Sequence, residues 1–340
     1  MIDSFDLPFR PHRLLRSGHS QTLMGWLLSG SDQPYTAKRH EVILDDYDRL
    51  LIHDDCPEAW QPGDRTALLI HGLSGCHLST YMVRIAGKLN RLGIRTFRLD
   101  MRGAGAGMSL ARNVYHAGRS DDLARTLDAI ARICPASPTA MLGFSLGGAV
   151  TLKMLGECGG TPPGNLDRAV AVCPPVDMKH CADSISQPRM QMYERYVVYG
   201  LRNHVSQQRN KVSDSFLVEP RRGLRGIWQF DNEVTAPSCG FESAADYYRR
   251  CSSGPLVPRI RVPTLILTSR DDPIVPGEQF DDLCLPRAVT LEITQHGGHL
   301  GFICSAKDVA DRRWMDQRVI AAAISDATMA NRRNRFAVEG

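Results

Sequence analysis

No stretch of the chain is apolar for the roughly 18 residues that a membrane-crossing helix requires. The longest run near the start, residues 23–28, is a single short patch. The first ten residues, MIDSFDLPFR, lack the charged-then-apolar order of a secretory signal. None of the ten cysteines sits in a CxxC pair, so a metal finger is not expected. Reduced, mostly buried thiols of a cytoplasmic protein are the plain reading. Cys76 lies beside His77, but nothing near it in sequence would lower its pKa. The eleven histidines show no HExxH spacing, which argues against a zinc hydrolase. The glycine run Gly103-Ala104-Gly105-Ala106-Gly107 falls short of a dinucleotide fingerprint, because position 108 is Met108. No GKS or GKT follows it, so a phosphate loop is excluded as well. Dinucleotide, phosphate-loop and zinc-hydrolase readings are thus set aside.

Charge is equally uninformative about partners. Forty-one basic residues against 37 acidic ones leave a net +4 on 340 residues. That is too small to point to nucleic acid. The arginine-rich segments 10–16 and 332–335 read as solvated ends. The arginines and Trp26 of segment 9–28 leave peripheral contact with a membrane surface open. There is no internal repeat and no low-complexity segment. Sequence alone sets no oligomeric state.

What is present is the material of one large domain, with 43% hydrophobic and 23% charged residues. Short β-rich runs alternate with longer helical ones. Strands are predicted at 41–44, 50–53, 66–70, 95–99, 140–144, 168–172, 264–268 and 289–294. Several, such as ALLI and TLILT, are nearly continuous apolar runs, as parallel strands buried on both faces should be. Helices are predicted at 80–92, 120–134 and 147–155, with a terminal helix in the tail after 306. This alternation implies an α/β fold with a mostly parallel sheet flanked by helices. It breaks between 174 and 263, a polar, Arg- and Tyr-rich stretch without a clear strand. The expected organisation is a core of 1–173 and 264–340 with a helical lid insertion at 174–263. Met190, Met192, Tyr193, Tyr196, Val197, Val198 and Tyr199 form a dense apolar group in that insertion, a candidate lining for an acyl-chain pocket.

The sharpest motif is Gly143-Phe144-Ser145-Leu146-Gly147-Gly148, a G-x-S-x-G nucleophile elbow. The strand TAMLGF ends in it and the helical run GGAVTLKML begins from it, which is the context the motif needs. Its glycines remove side chains that would clash in an abrupt strand-to-helix turn. Serine is a poor nucleophile at neutral pH, so it needs a base within reach and a carboxylate to orient that base. The chain order serine, acid, histidine is satisfied by Ser269-Arg270-Asp271-Asp272-Pro273 and Gln295-His296-Gly297-Gly298-His299. In the first loop Asp271 and Asp272 compete; in the second, His296 and His299 do. Acyl transfer also needs donors for a tetrahedral oxyanion. The backbone N–H groups of Leu146, after the serine, and of Leu73, in the loop His71-Gly72-Leu73-Ser74-Gly75, are the candidates. His71 itself is read as a brace for that loop.

These motifs together resemble the YheT-like branch of the α/β-hydrolases, related to the eukaryotic ABHD lipases. Gly18-His19-Ser20-Gln21-Thr22 is similar to that branch's H-x-Q-T signature. HGLSG at 71–75, RGAG at 102–105, YHAG at 115–118, GFSLGG, the lid-region DNEVTAPSCGFESAADYY at 231–248, DDP and GGHLGF fit it too. The resemblance covers most of the chain. It implies the α/β-hydrolase fold and a serine carboxylic-ester hydrolase, of esterase or acylglycerol-lipase type, acting on short to medium acyl chains of a small-molecule ester or lipid. It adds no metal or organic cofactor. It also selects within the two loops: the G-G-H-x-G-F context points to His299, and an acid followed by x-I/L-V-P points to Asp272. Two positions depart from the family, Asp100 where asparagine is frequent and Ala104 where cysteine is frequent. An acyltransferase would use the same triad, and a binding protein with a vestigial site is the reading from outside enzymology.

Overall fold

In the computed structural model, residues 8–28, 36–305 and 311–325 are described. Eight strands form one sheet: β1 (Lys38–Ile43), β2 (Arg49–Asp55), β3 (Thr66–Ile70), β4 (Arg95–Asp100), β5 (Thr139–Phe144), β6 (Leu166–Val172), β7 (Thr264–Ser269) and β8 (Val289–Thr294). Their spatial order is β1-β2-β4-β3-β5-β6-β7-β8. β2 runs antiparallel to both β1 and β4, and every pairing from β4 to β8 is parallel. Each predicted strand is found, within three residues at either end.

The central strands are apolar along their whole length because both faces are covered. Leu68 and Ile70 of β3 pack into one core layer with Leu127 and Ile130 of α3 (Ser120–Ile133) and Val150 of α4 (Leu146–Cys158). The alternate residues Ala67 and Leu69 face the other layer, with Ile85 and Leu89 of α2 (Thr80–Arg91). Val319 and Ile320 of α10 (Trp314–Ile324) complete that layer. Burying each such side chain contributes about 1.5–3 kcal/mol. The terminal helix expected after 306 is α10, and residues 306–310 and 326–340 of the tail lie outside the described residues.

Helix α1 (Gly18–Leu27) precedes the sheet, and Ser17 and Ser20 close a capping box at its start. Between β6 and β7 the described chain is helical and has no strand. This stretch holds α5 (Met178–Ile185), α6 (Gln191–Lys211), α7 (Ile227–Phe230), a π turn at Asp231–Thr235, α8 (Ala236–Cys239) and α9 (Ala244–Cys251). Asp177 caps α5 and Ser243 caps α9 through their side chains. Parallel strands deliver their following loops to the same edge of the sheet. The loops after β3, β5, β7 and β8 thus gather at the carboxyl edge, where open α/β sheets hold ligands.

Candidate active site

Ser145 stands between β5 and α4 with φ 52° and ψ −121°. A non-glycine residue pays for this conformation in strain, and such strain persists only where the surroundings enforce it. The enforcement is close packing. A Cβ on Gly143 would lie 2.4 Å from Thr151 Oγ1, and one on Gly147 would lie 2.5 Å from the His71 carbonyl. Both glycines are therefore required by approach.

Two loops meet the serine. The His299 Nε2 lies 2.9 Å from Ser145 Oγ, and its Nδ1 lies 2.8 Å from Asp272 Oδ2. Asp272 Oδ1 accepts the backbone N–H groups of Ile274 (2.8 Å) and Val275 (2.9 Å). Both carboxylate oxygens are thereby committed, and Asp272 and His299 are buried. The neighbours do other work. Asp271 Oδ1 accepts the Gly298 N–H at 3.0 Å, and its Oδ2 lies 3.2 Å from Nδ1 of the half-exposed His296. Asp271 and His296 thus tie the two loops together beside the serine–histidine–aspartate line.

A support that sequence reasoning did not assign comes from α1. Thr22 Oγ1 accepts the His299 N–H at 2.8 Å and donates to the Gly18 carbonyl at 2.7 Å. Gln21 donates to the Ile303 carbonyl at 3.0 Å and accepts the Ile303 N–H at 2.7 Å. The helix lies directly on the histidine loop. A Cβ on Gly298, which has φ 57°, would meet the Gly18 carbonyl at 2.2 Å, and one on Gly301 would meet the Gln21 carbonyl at 2.4 Å. The signal for this contact was in the sequence. Gly18, Gln21, Thr22 and Gly25 fall on one helical face, and a face of small and amide or hydroxyl side chains needs a polar partner.

The loop after β3 reaches the serine from the other side. A Cβ on Gly72 would lie 3.0 Å from Ser145 Cβ. Gly72 N–H donates to Tyr81 Oη at 2.9 Å and Ser74 N–H to Tyr115 Oη at 2.6 Å. Among the described residues no acceptor faces the Leu73 N–H between them. Leu146 opens α4, so its N–H has no intrahelical acceptor either. His71 braces the loop as expected: its Nδ1 lies 2.8 Å from the Gly72 carbonyl, and its Nε2 accepts the Met101 N–H at 3.2 Å. Burial lowers its pKa and keeps it neutral.

Deeper support centres on Asp100. It accepts the His77 and Ala106 N–H groups at 2.8 and 2.9 Å and contacts His53 Nε2 (3.0 Å) and His77 Nδ1 (2.7 Å). Burial pushes this carboxyl up, but the hydrogen bonds from His53 and His77 outweigh it and hold it well below the usual range. Asp100 pins the far end of the His71–His77 loop. The ligand-type atoms of His53, His77 and Asp100 lie within 4.8 Å of one another, but the carboxylate is already occupied by these hydrogen bonds. Cys76 shows no activation: burial raises its pKa.

Beside the serine lies a small, largely apolar pocket. Leu73, Leu146 and Tyr115 belong to its core side, and Leu201, His204 and Val205 of α6 face them. Phe230 and Val234 close it from α7 and the π turn. Of the dense group expected to line it, none faces the pocket, and only Val198 packs among its wall residues Val205, Phe230 and Val234. Tyr193 and Met190 are buried in a separate cluster, and Met192, Tyr196 and Tyr199 are exposed. The pocket belongs to the following turns of α6, because the rotation of the helix turns 201, 204 and 205 inward.

Comparison with known proteins bears on the fold and the family. The profile of the alpha/beta hydrolase fold family matches residues 67–305. YheT of Escherichia coli (strain K12) is 30% identical over 318 residues, covering 92% of this chain and 91% of that protein. A monoacylglycerol lipase of Saccharomyces cerevisiae is 28% identical over 256 residues, covering 73% of this chain but 56% of the lipase. Among solved structures, 2,6-dihydroxy-pseudo-oxynicotine hydrolase shares the fold with a TM-score of 0.57 at 17% identity, over 90% of this chain and 72% of that one.

Proposed function

The chain belongs to the alpha/beta hydrolase fold family, and from that premise we propose that it is a serine carboxylic-ester hydrolase working through an acyl-enzyme. The observation that carries the reading is the continuous line from Ser145 Oγ through the His299 ring to Asp272, with contacts of 2.9 and 2.8 Å. The similarity to YheT and to the yeast lipase supports ester substrates.

In this mechanism His299 Nε2 takes the Ser145 proton as Oγ attacks the ester carbonyl carbon. The carbonyl π pair moves to oxygen, where the N–H groups of Leu73 and Leu146 receive it. Collapse expels the alkoxide, which leaves as the alcohol with the proton held on His299. Water then repeats the sequence on the acyl-enzyme, and the carboxylic acid departs. Asp272 keeps the Nδ1 proton of His299 in place and stabilises the transient imidazolium. Residues 1–173 and 264–340 act as the catalytic core, and 174–263 as a helical lid over the acyl pocket. The largely apolar lining of this pocket suits an acyl chain, read here as short to medium.

No helix among the described residues is long and apolar enough to cross a membrane. The reading is of a cytoplasmic enzyme; the described cysteines form no disulfide. The test compares wild type with Ser145→Ala on p-nitrophenyl esters of increasing chain length, with folding checked by circular dichroism. Hydrolysis should fall by about 10⁴-fold or more, and fluorophosphonate labelling should vanish. A mutant that keeps its rate overturns the assignment. Added glycerol in the same assay separates hydrolysis from acyl transfer, since a transferase would yield a new ester.

A further inference from the structure

The polar side chains of the pocket are nearly all paired within the protein. Tyr115 Oη takes the Ser74 N–H (2.6 Å) and Tyr247 Oη the Ala117 N–H (3.2 Å). Ser238 Oγ takes the Val218 N–H at 2.9 Å, and His116 Nδ1 the Gly118 N–H at 3.1 Å. Asp231 receives Thr235 Oγ1 and Tyr248 Oη, both at 2.7 Å. His204 differs. Its Nε2 is fully buried and has no hydrogen-bond partner. The ring is held edge-on against Tyr115, with centroids 5.3 Å apart and planes at 82°. Tyr115 is the residue that fixes Ser74 next to Leu73, and His204 lines the same pocket.

A buried polar atom without a partner is destabilising, and nearly all such atoms in folded proteins are paired. Burial drops the His204 pKa to about 4. The ring is therefore neutral at pH 7, and its Nε2 is a donor in one tautomer and an acceptor in the other, so it can pair with a hydroxyl in either form. An apolar side chain would line this wall at no such penalty.

We propose that His204 is a specificity residue that hydrogen-bonds a hydroxyl group of the ester substrate. The proposal rests on the ester-hydrolase reading of Ser145. The hydroxyl belongs either to the acyl chain, as in a hydroxyacyl ester, or to the alcohol, as in a partial ester of glycerol. In both cases the hydroxyl enters the pocket and completes the imidazole, while the deoxy analogue leaves it unpaired. Discrimination then comes from the penalty on the wrong substrate as well as the bond to the right one.

The experiment measures kcat/KM for two matched pairs with wild type, His204→Leu and His204→Gln. One pair is p-nitrophenyl 3-hydroxybutyrate against p-nitrophenyl butyrate; the other is glycerol monobutyrate against propyl butyrate. Wild type should favour the hydroxylated member of one pair by about 10- to 100-fold, the range of one buried hydrogen bond. The pair that shows the preference identifies which half of the ester carries the hydroxyl. His204→Leu should bring that ratio near one while fluorophosphonate still labels Ser145, and His204→Gln, whose amide can donate and accept, should retain much of it. Wild type with no preference in either pair overturns the proposal, as does a ratio unchanged in His204→Leu. Wild type that cleaves none of the four esters overturns the ester reading itself, a result distinct from cleavage without preference.

Discussion

Replacing Asp272 by asparagine tests the site most sharply, because the geometry dictates how the amide must sit. Asp272 Oδ1 is fixed by two backbone donors, Ile274 N–H and Val275 N–H. An amide nitrogen there would face two N–H groups, so the asparagine oxygen must take this position. The NH₂ group then occupies the place of Oδ2, 2.8 Å from His299 Nδ1. It donates to Nδ1 and forces the ring proton onto Nε2, which points at Ser145 Oγ. Histidine in that tautomer cannot accept the serine proton. In serine proteases the same exchange lowers kcat by about 10⁴, which corresponds to about 5 kcal/mol of transition-state stabilisation. Asp272→Asn should show this loss on p-nitrophenyl butyrate with an unchanged far-ultraviolet spectrum. Asp271→Asn is the control. It relaxes the contacts to Gly298 and His296 and should cost no more than about tenfold, the scale of one hydrogen bond. Asp272→Asn retaining above about a tenth of the rate, or Asp271→Asn falling as far, would refute this assignment of the acid.

Three other perturbations follow from the packing. Thr22→Val removes the acceptor of the His299 N–H and should cost about 1–3 kcal/mol. It should appear as a lower kcat with little change in KM, and Thr22→Ser should restore it. Arg102 is buried against Asp46, Asp48 and Asp122, with 2.7 Å to Asp122 and 2.9 Å to Asp48. Arg102→Met strands these carboxylates and should lower stability in urea by about 3–5 kcal/mol. Asp231 is buried, and burial raises its pKa to about 6 despite hydrogen bonds from Thr235 and Tyr248. The folded protein thus holds this proton more tightly than the unfolded chain. The stabilisation is complete below about pH 4 and is lost as the pH rises through 6. Comparing Asp231→Asn with wild type should reveal a difference in pH dependence of about 2 kcal/mol between pH 4 and pH 7, read from denaturant midpoints.

Where one residue type in one pattern has a single physical use, the sequence was sufficient by itself. Runs such as TALLI and TLILTS are apolar without alternation, and only a strand covered on both faces uses such a run economically. That determined the mostly parallel sheet. Ser145 was legible because glycines two residues to either side, a strand before and a helix after are the local requirements of one turn. The serine–acid–histidine order then limited the partners to two short loops. Within those loops the residues themselves could not separate Asp271 from Asp272 or His296 from His299, and the choice rested on resemblance. Neighbours along a loop point in different directions, and only the folded loops show which side chain turns toward Ser145. The helical stretch between β6 and β7 illustrates the same limit. Composition marked 190–199 as apolar, but the rotation of α6 against the core turned Leu201, His204 and Val205 into the pocket instead. The contact of Thr22 with His299 spans 277 positions. No local rule fixes such a pairing, because it arises only when the sheet brings β8 and its loop under a helix that preceded it by most of the chain.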